Sequence, residues 1–336
     1  MAPQPAAYYT RELRPALGEE VFRPTPGRLV WLALHVAAVA LAIATIAAGI
    51  GGLPVAALLS VAIGCAFAGM AFIAHETLHG AVVRGARLRR WVGFVAFLPF
   101  YISPRHWVAW HNRMHHNHTG EAGVDPDAYP TLERYRTSRR TRLADRLSFG
   151  GRRILGLVTL LIGLNGQSIG VLIAAGPRAR YLPRRDYAWA LVETAAQLGA
   201  WIALGALLGA RVLLFGWLLP LAVGNVFVMA HILTNHSLSP HTELNDPLAN
   251  SLSVTAPRWF ERFTLHFGLH VEHHLFPSVS GRYTPRIRDL IRKNWPERYS
   301  SLPLADAVAR LFRTGRIYKD ARTLIDPQSG AESATL

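Results

Sequence analysis

Four apolar runs, at roughly 29–49, 53–74, 188–208 and 212–234, are each long enough to cross a bilayer, and nothing else narrows the possible folds so far. Inside hydrocarbon a backbone must satisfy its own hydrogen bonds, so such runs are read as helices. Two weaker runs accompany them. Residues 91–103 are too short to cross, and 154–176 are interrupted by Asn165, Gln167 and Ser168. The expected architecture is an all-α integral membrane protein. It has four transmembrane helices, interfacial or re-entrant helices at 91–103 and 154–176, and a polar, histidine-rich cap that holds a di-metal site.

Composition agrees. Hydrophobic residues make up 51% of the 336, yet the formal net charge is +15. Apolar spans joined by basic loops reconcile the two figures. All the basic side chains are arginines except Lys293 and Lys319. Nucleic-acid binding is the usual rival reading of such charge, but the spans account for it and no nucleic-acid partner is expected. The one cysteine, Cys65, falls inside an apolar run, which excludes a disulfide framework and a cysteine-based metal site. Residues 1–27 are polar and dotted with prolines, so no signal peptide is visible there.

Loop charges set the expected topology. The link between the first two runs carries no charge, and that between the last two carries only Arg211. Arginines crowd the other links: Arg84, Arg87, Arg89 and Arg90, the 134–153 loop, and Arg178 to Arg185. The positive-inside rule then puts both termini and the long polar regions in the cytoplasm. On this topology 154–176 must not cross fully. Three regions result: a cytoplasmic segment at 1–28, a membrane domain at 29–280, and a basic cytoplasmic cap and tail at 281–336. Leu290, Ile291, Leu304, Val308 and Leu311 are expected to pack the cap, and the last dozen residues read as disordered. Abundant arginine and alanine suit a bacterial plasma membrane.

Histidines cluster where this topology brings the chain to one face. His75 and His79 end the second run. His111, His115 and His116 follow the short run, and His270, His273 and His274 form a third cluster. Imidazole is a common ligand for iron, zinc and copper. On an α-helix, residues four apart share a face, so His75 pairs with His79 and His111 with His115. His116 is turned far enough round to reach a second ion. Three clusters on one membrane face point to a site with more than one metal ion, held by nitrogen rather than carboxylate.

His75-Glu76-Thr77-Leu78-His79 also fits the H-E-x-x-H pattern of zinc proteases, in which the glutamate is the base. That reading leaves the second and third clusters unexplained. Under the multi-metal reading Glu76 orients a histidine instead. A non-catalytic metal carrier is a further alternative. Of the other histidines, His35 lies mid-span and is expected to be packed, and His106, His118, His241 and His266 are expected to flank the site or lie at the surface.

The order HxxxH, HxxxHH, HxxHH resembles the membrane fatty acid desaturase superfamily. Neighbouring residues carry the resemblance too: Gly80 after the first cluster, Trp110 before the second, Asp125-Pro126-Asp127 beyond it, and Leu275-Phe276-Pro277 after the third. It covers about 70–280. It implies a non-haem di-iron centre with His75, His79, His111, His115, His116, His270, His273 and His274 as ligands. The family commonly adds a ninth histidine near the end of the last span. Here that is His236, with His231 as the rival, Asn235 able to hold a water, and Asp125 or Asp127 able to orient a cluster histidine. The implied reaction is dioxygen-dependent desaturation of an acyl lipid or acyl thioester, with two electrons from a separate donor, a ferredoxin or a cytochrome b5-like protein. Removing hydrogen from an unactivated methylene is chemistry that reduced iron with dioxygen performs and zinc does not. A hydroxylase or ketolase acting on an acyl, sphingoid or carotenoid chain would carry the same ligands. Small residues Gly64, Ala68 and Gly69 on the second run suit either an acyl slot or close helix packing.

Overall fold

The computed structural model describes residues 3–175 and 181–336. Gly176–Arg180, which include Arg178, Arg180 and the end of the 154–176 run, lie outside the described residues. The described chain is mostly helical and divides into two units. One comprises residues 24–110 and 161–228, and the other residues up to 23, 111–160 and 229–336.

Five helices are long and apolar enough to cross a membrane: Pro26–Ala47, Gly52–Leu78, Ile154–Ile173, Arg184–Leu208 and Ala210–His236. Four coincide with the runs expected to span. The fifth, Ile154–Ile173, is the run that loop-charge parity expects not to cross, and its polar residues lower its hydropathy. Asn165 and Ser168 are buried, and the Asn165 side chain is partnered. Asn165 Nδ2 donates to the Phe100 carbonyl (2.7 Å), and Asn225 Nδ2 donates to Asn165 Oδ1 (2.7 Å). Asparagines that satisfy each other interrupt the hydropathy of a run without interrupting its helix.

The membrane unit shows its solvent in its surface. Leu41, Leu58 and Leu207 are 72%, 70% and 81% exposed, and large apolar side chains exposed in this way are what acyl chains cover. The first two helices turn at Gly49, Gly51 and Gly52, whose φ of +74°, +71° and +66° only glycine adopts cheaply. At the other end, Gly80 (φ +88°) stops the second helix. Its N–H and that of Ala81 bond back to Thr77 and Glu76, a Schellman closure that ends the helix at Leu78 and leaves His79 as its C-cap.

Small residues on the second helix are used up by packing. A Cβ at Gly64 would lie 2.4 Å from Val223 Cβ and 2.8 Å from the Pro220 carbonyl, and one at Gly69 would lie 2.3 Å from His35 Nε2. The acyl-slot alternative therefore does not hold at these two positions. An apolar crevice of about 420 Å³ lies elsewhere, between Val39, Ile43, Phe67, Met70 and Leu204. Gly64→Leu is expected to cost about 1–3 kcal/mol by overpacking and to lower the melting temperature in detergent. Gly199→Ala meets open space and should leave the melting temperature unchanged or raise it.

The 91–103 run is not one element. An amphipathic helix begins earlier, at Ala86, and ends at Ala96; a single turn Leu98–Phe100 follows, and then Pro104–Trp107 capped by Ser103.

The second unit is built around Ala6–Leu13 and the chain after His236. Tyr9, Leu13 and Val21 pack with Val271, Leu275, Ile287 and Ile291. Buried Asp246 ties the segments together by accepting from Tyr9 Oη, the Gln4 N–H and Arg298. Ser253–Thr255 pairs in parallel with Ser301–Pro303. The tail is ordered, contrary to the expectation from its composition. Ile317–Tyr318, Thr323–Ile325 and Glu332–Ala334 form an antiparallel sheet, and the Leu336 N–H bonds the Leu238 carbonyl. Backbone pairing orders a stretch with few apolar side chains.

Candidate metal centre

The second histidine cluster sits on an unusual helix. Val108–His115 is a π-helix, whose i→i+5 bonds put more residues into each turn than an α-helix has. Residues five apart as well as four apart then stand near one another. His111 and His116 bring their Nε2 atoms to 3.2 Å, and His273 Nε2 lies 3.1 Å from that of His116. His115 stacks on His111, ring centroids 5.1 Å apart, and groups with His111 and Asp127 as well as with a second set of imidazoles. It joins His236, His270 and His274, whose ligating atoms lie with its own within 4.8 Å of one another. The pairing of His111 with His115 expected from spacing is present as a stacked ring contact, and His111 also meets His116 at Nε2. The third cluster is α-helical over His270–Leu275, so His270 and His274 share one group while His273 turns to the other.

His236 falls inside the four-membered group, with its Nε2 2.8 Å from His270 Nε2. His231, five residues earlier, does not. It stacks on Phe260 at 5.9 Å. Asn235 is fully buried, and neither its Oδ1 nor its Nδ2 has a hydrogen-bond partner among the described residues. In the membrane unit, His75 and His79 lie on the last turn of the second helix, ring centroids 4.7 Å apart. The Glu76 carboxylate meets the Arg28 guanidinium at 3.5 Å.

The donors fit metal ions better than they fit one another. His270 Nε2 faces both His236 Nε2 and His274 Nε2, at 2.8 and 3.2 Å. A neutral imidazole has one N–H, so a proton on His270 Nε2 serves only one neighbour. Nitrogens bound at about 2.1 Å to one ion stand about 3 Å apart, the spacing seen here.

The surroundings turn each Nε2 inward. His115 Nδ1 donates to Asp125 Oδ1 at 2.9 Å, with Asp127 Oδ2 3.4 Å away, while its buried Nε2 has no hydrogen-bond partner among the described residues. Asp125 is fixed in turn by the N–H groups of Gly120 and Asp127, both at 2.9 Å. Burial pulls the His115 pKa down, but the two carboxylates outweigh it and lift it to about 9. The same carboxylates favour a cation at Nε2. Burial and the neighbouring imidazoles hold His274 well below its ordinary value, so it is neutral and free to ligate. Thr119 Oγ1 donates to the His115 carbonyl (2.7 Å) and is 3.3 Å from His274 Nδ1, where it accepts.

Several of these supports escaped the sequence reading. Ser253 Oγ accepts from the N–H groups of His270 and Val271 and donates to buried Glu272, which also accepts from Tyr299 Oη (2.6 Å). Asn245 and Asn250 hold the carbonyls of His116 and Thr119, each at 2.6 Å. Their one signal was a polar run between His236 and the third cluster.

His106 lies outside these groups. Its Nε2 donates to the Ser168 carbonyl (3.1 Å), its Nδ1 accepts from Tyr181 Oη (2.8 Å), and its ring stacks on Trp110. Burial pushes its pKa down to about 4. The unfolded chain binds this proton near pH 6.5 and the folded chain does not, so the stabilisation is full above 6.5 and fades toward pH 4. The loss over that window is about 3 kcal/mol. Melting temperatures between pH 7 and pH 4 should fall less steeply in His106→Phe than in the wild type, even though the variant starts lower.

Compared with known families, the chain matches the fatty acid desaturase model over residues 51–303, more than half its length, and it belongs to that family. No curated protein matches it. The family and the five apolar helices together define a membrane oxidoreductase of the desaturase or hydroxylase type, with an acyl substrate and histidine clusters suited to metal.

Proposed function

We propose that this chain inserts a carbon–carbon double bond into a fatty acyl chain at a histidine-held pair of irons. Convergence of seven histidine Nε2 atoms into two groups carries the reading. In it, His115, His236, His270 and His274 hold one ion. His111, His116 and His273 hold the other, and His75 and His79 are the further ligands that the family's first histidine cluster implies. Imidazole serves several metals, so the geometry alone does not choose iron; family membership does.

When bound, the irons supply the activation of dioxygen. The balance is that an acyl –CH2–CH2– loses two hydrogens, a separate donor gives two electrons, and with two protons dioxygen leaves as two waters. The protein's own part is positional. Asp125 and Thr119 aim imidazoles, Ser253 and Glu272 fix the third-cluster helix, and buried Asn235 offers an amide beside His236 for a water or ligand oxygen. The donor is a ferredoxin or a cytochrome b5-like protein.

Topology follows from parity. The rings of His115 and His236 stand 4.5 Å apart, so the chain between them crosses the bilayer an even number of times. Three apolar helices intervene. Arg184–Leu208 and Ala210–His236 are joined by Gly209 alone (φ +93°), a tight hairpin of two crossings. Ile154–Ile173 is then the helix that does not cross. With four crossings and the arginine-rich links inside, the histidines face the cytoplasm.

Product analysis tests the reaction. Cells expressing the chain with a reductase system should accumulate an acyl product two hydrogens lighter than its precursor. A product that gains oxygen instead would make the chain a hydroxylase.

A further inference from the structure

The membrane unit carries a cleft of about 420 Å³ away from the histidines, walled by two helices. The sequence dictates both walls. On Ala86–Ala96, Arg87, Arg90, Trp91 and Phe94 recur at three- and four-residue intervals and so share a face. On Arg184–Leu208, Trp189, Val192, Glu193 and Ala196 do the same. Gln197 Nε2 donates to the Phe94 carbonyl at 2.9 Å and joins the walls at their apolar end.

Charge is unevenly placed in this cleft. The acids near its mouth, Glu193 and Asp186, are both engaged by Arg105, whose guanidinium also lies 5.6 Å from the Trp189 ring. Arg87 and Arg90 have no acidic partner among the described residues. One end therefore offers uncompensated arginine, and the other offers Phe94, Val192 and Ala196. The arginine end is also the end at which Arg184 opens an apolar helix, which puts it at the bilayer surface. Trp91 and Trp189, 69% and 47% exposed, stand where aromatic side chains line membrane interfaces.

We propose that this cleft binds one anionic phospholipid, its phosphate held by Arg87 and Arg90 and an acyl chain laid over Phe94, Val192 and Ala196. Arginine suits a phosphate because its planar fork meets two oxygens at once. A zwitterionic headgroup brings a cation to the same two arginines and gains less.

The test uses the full chain in neutral detergent, titrated with phosphatidylglycerol, phosphatidylcholine or inorganic phosphate, with bound lipid read by native mass spectrometry. One phosphatidylglycerol should bind at least about tenfold more tightly than phosphatidylcholine, and inorganic phosphate should not displace it. Replacing both arginines, Arg87→Gln with Arg90→Gln, should weaken it at least about tenfold. Replacing the exposed pair Arg139→Gln with Arg140→Gln should leave it unchanged. Arg90→Gln alone should give a smaller loss in the same direction, should the double variant fail to fold. Equal binding of the two lipids, equal weakening by both arginine pairs, or displacement by phosphate would each overturn the proposal.

Discussion

His270→Ala should abolish turnover and remove one iron, taking the purified protein from about two irons per chain to about one. His270 is the hinge of its group, since its Nε2 is within 3.2 Å of both His236 and His274. Its removal leaves two facing imidazoles with a gap between them. The loss should exceed the roughly 10–100-fold that follows removal of a partner behind a ligand. Folding should survive, because the third-cluster helix is held independently by Ser253, Val271 and Leu275. Iron analysis with a melting curve on the same sample separates loss of the ion from loss of the fold. An unchanged iron content would mean that His270 is not a ligand.

Asp125→Ala should weaken iron binding about 10–100-fold while leaving every histidine in place. The carboxylate fixes the proton on His115 Nδ1 and so keeps Nε2 available. It also anchors the loop through the N–H groups of Gly120 and Asp127. Part of the effect could therefore be loss of structure, and Asp145 provides the comparison. It too is buried, and it accepts two bonds from Arg153, at 2.8 and 3.2 Å. Asp145→Ala should lower the melting temperature without lowering iron affinity. If the two variants lost iron alike, the orienting role of Asp125 would be gone.

The sequence made the donors legible better than their grouping. Helical spacing picked out His75, His79 and both later clusters, because imidazoles at such intervals on one membrane face have few other uses. It paired His111 with His115 but did not show that His111 also meets His116, because Val108–His115 is a π-helix and nothing local marks that stretch as one. His231 and His236 lie five residues apart on one helix, and only packing against Phe260 or His270 separates them. The packing use of Gly64 and Gly69 was hidden for a similar reason, since a glycine records room for a neighbour without saying whether the neighbour is Val223 or a lipid. Asn165 lowered the hydropathy of its run because its partner, Asn225, lies sixty residues away. The tail looked disordered because its order comes from backbone pairing and from contacts such as the Tyr318 hydroxyl on the Ser239 carbonyl.

The most direct test of the di-iron account is elemental analysis of the detergent-purified chain, measuring iron and zinc per polypeptide in the wild type, His111→Ala and His273→Ala. The account predicts about two irons and little zinc in the wild type, with iron falling in both variants. A single tightly held zinc, unchanged by either substitution, would contradict it and make Glu76 the residue on which the chemistry turns.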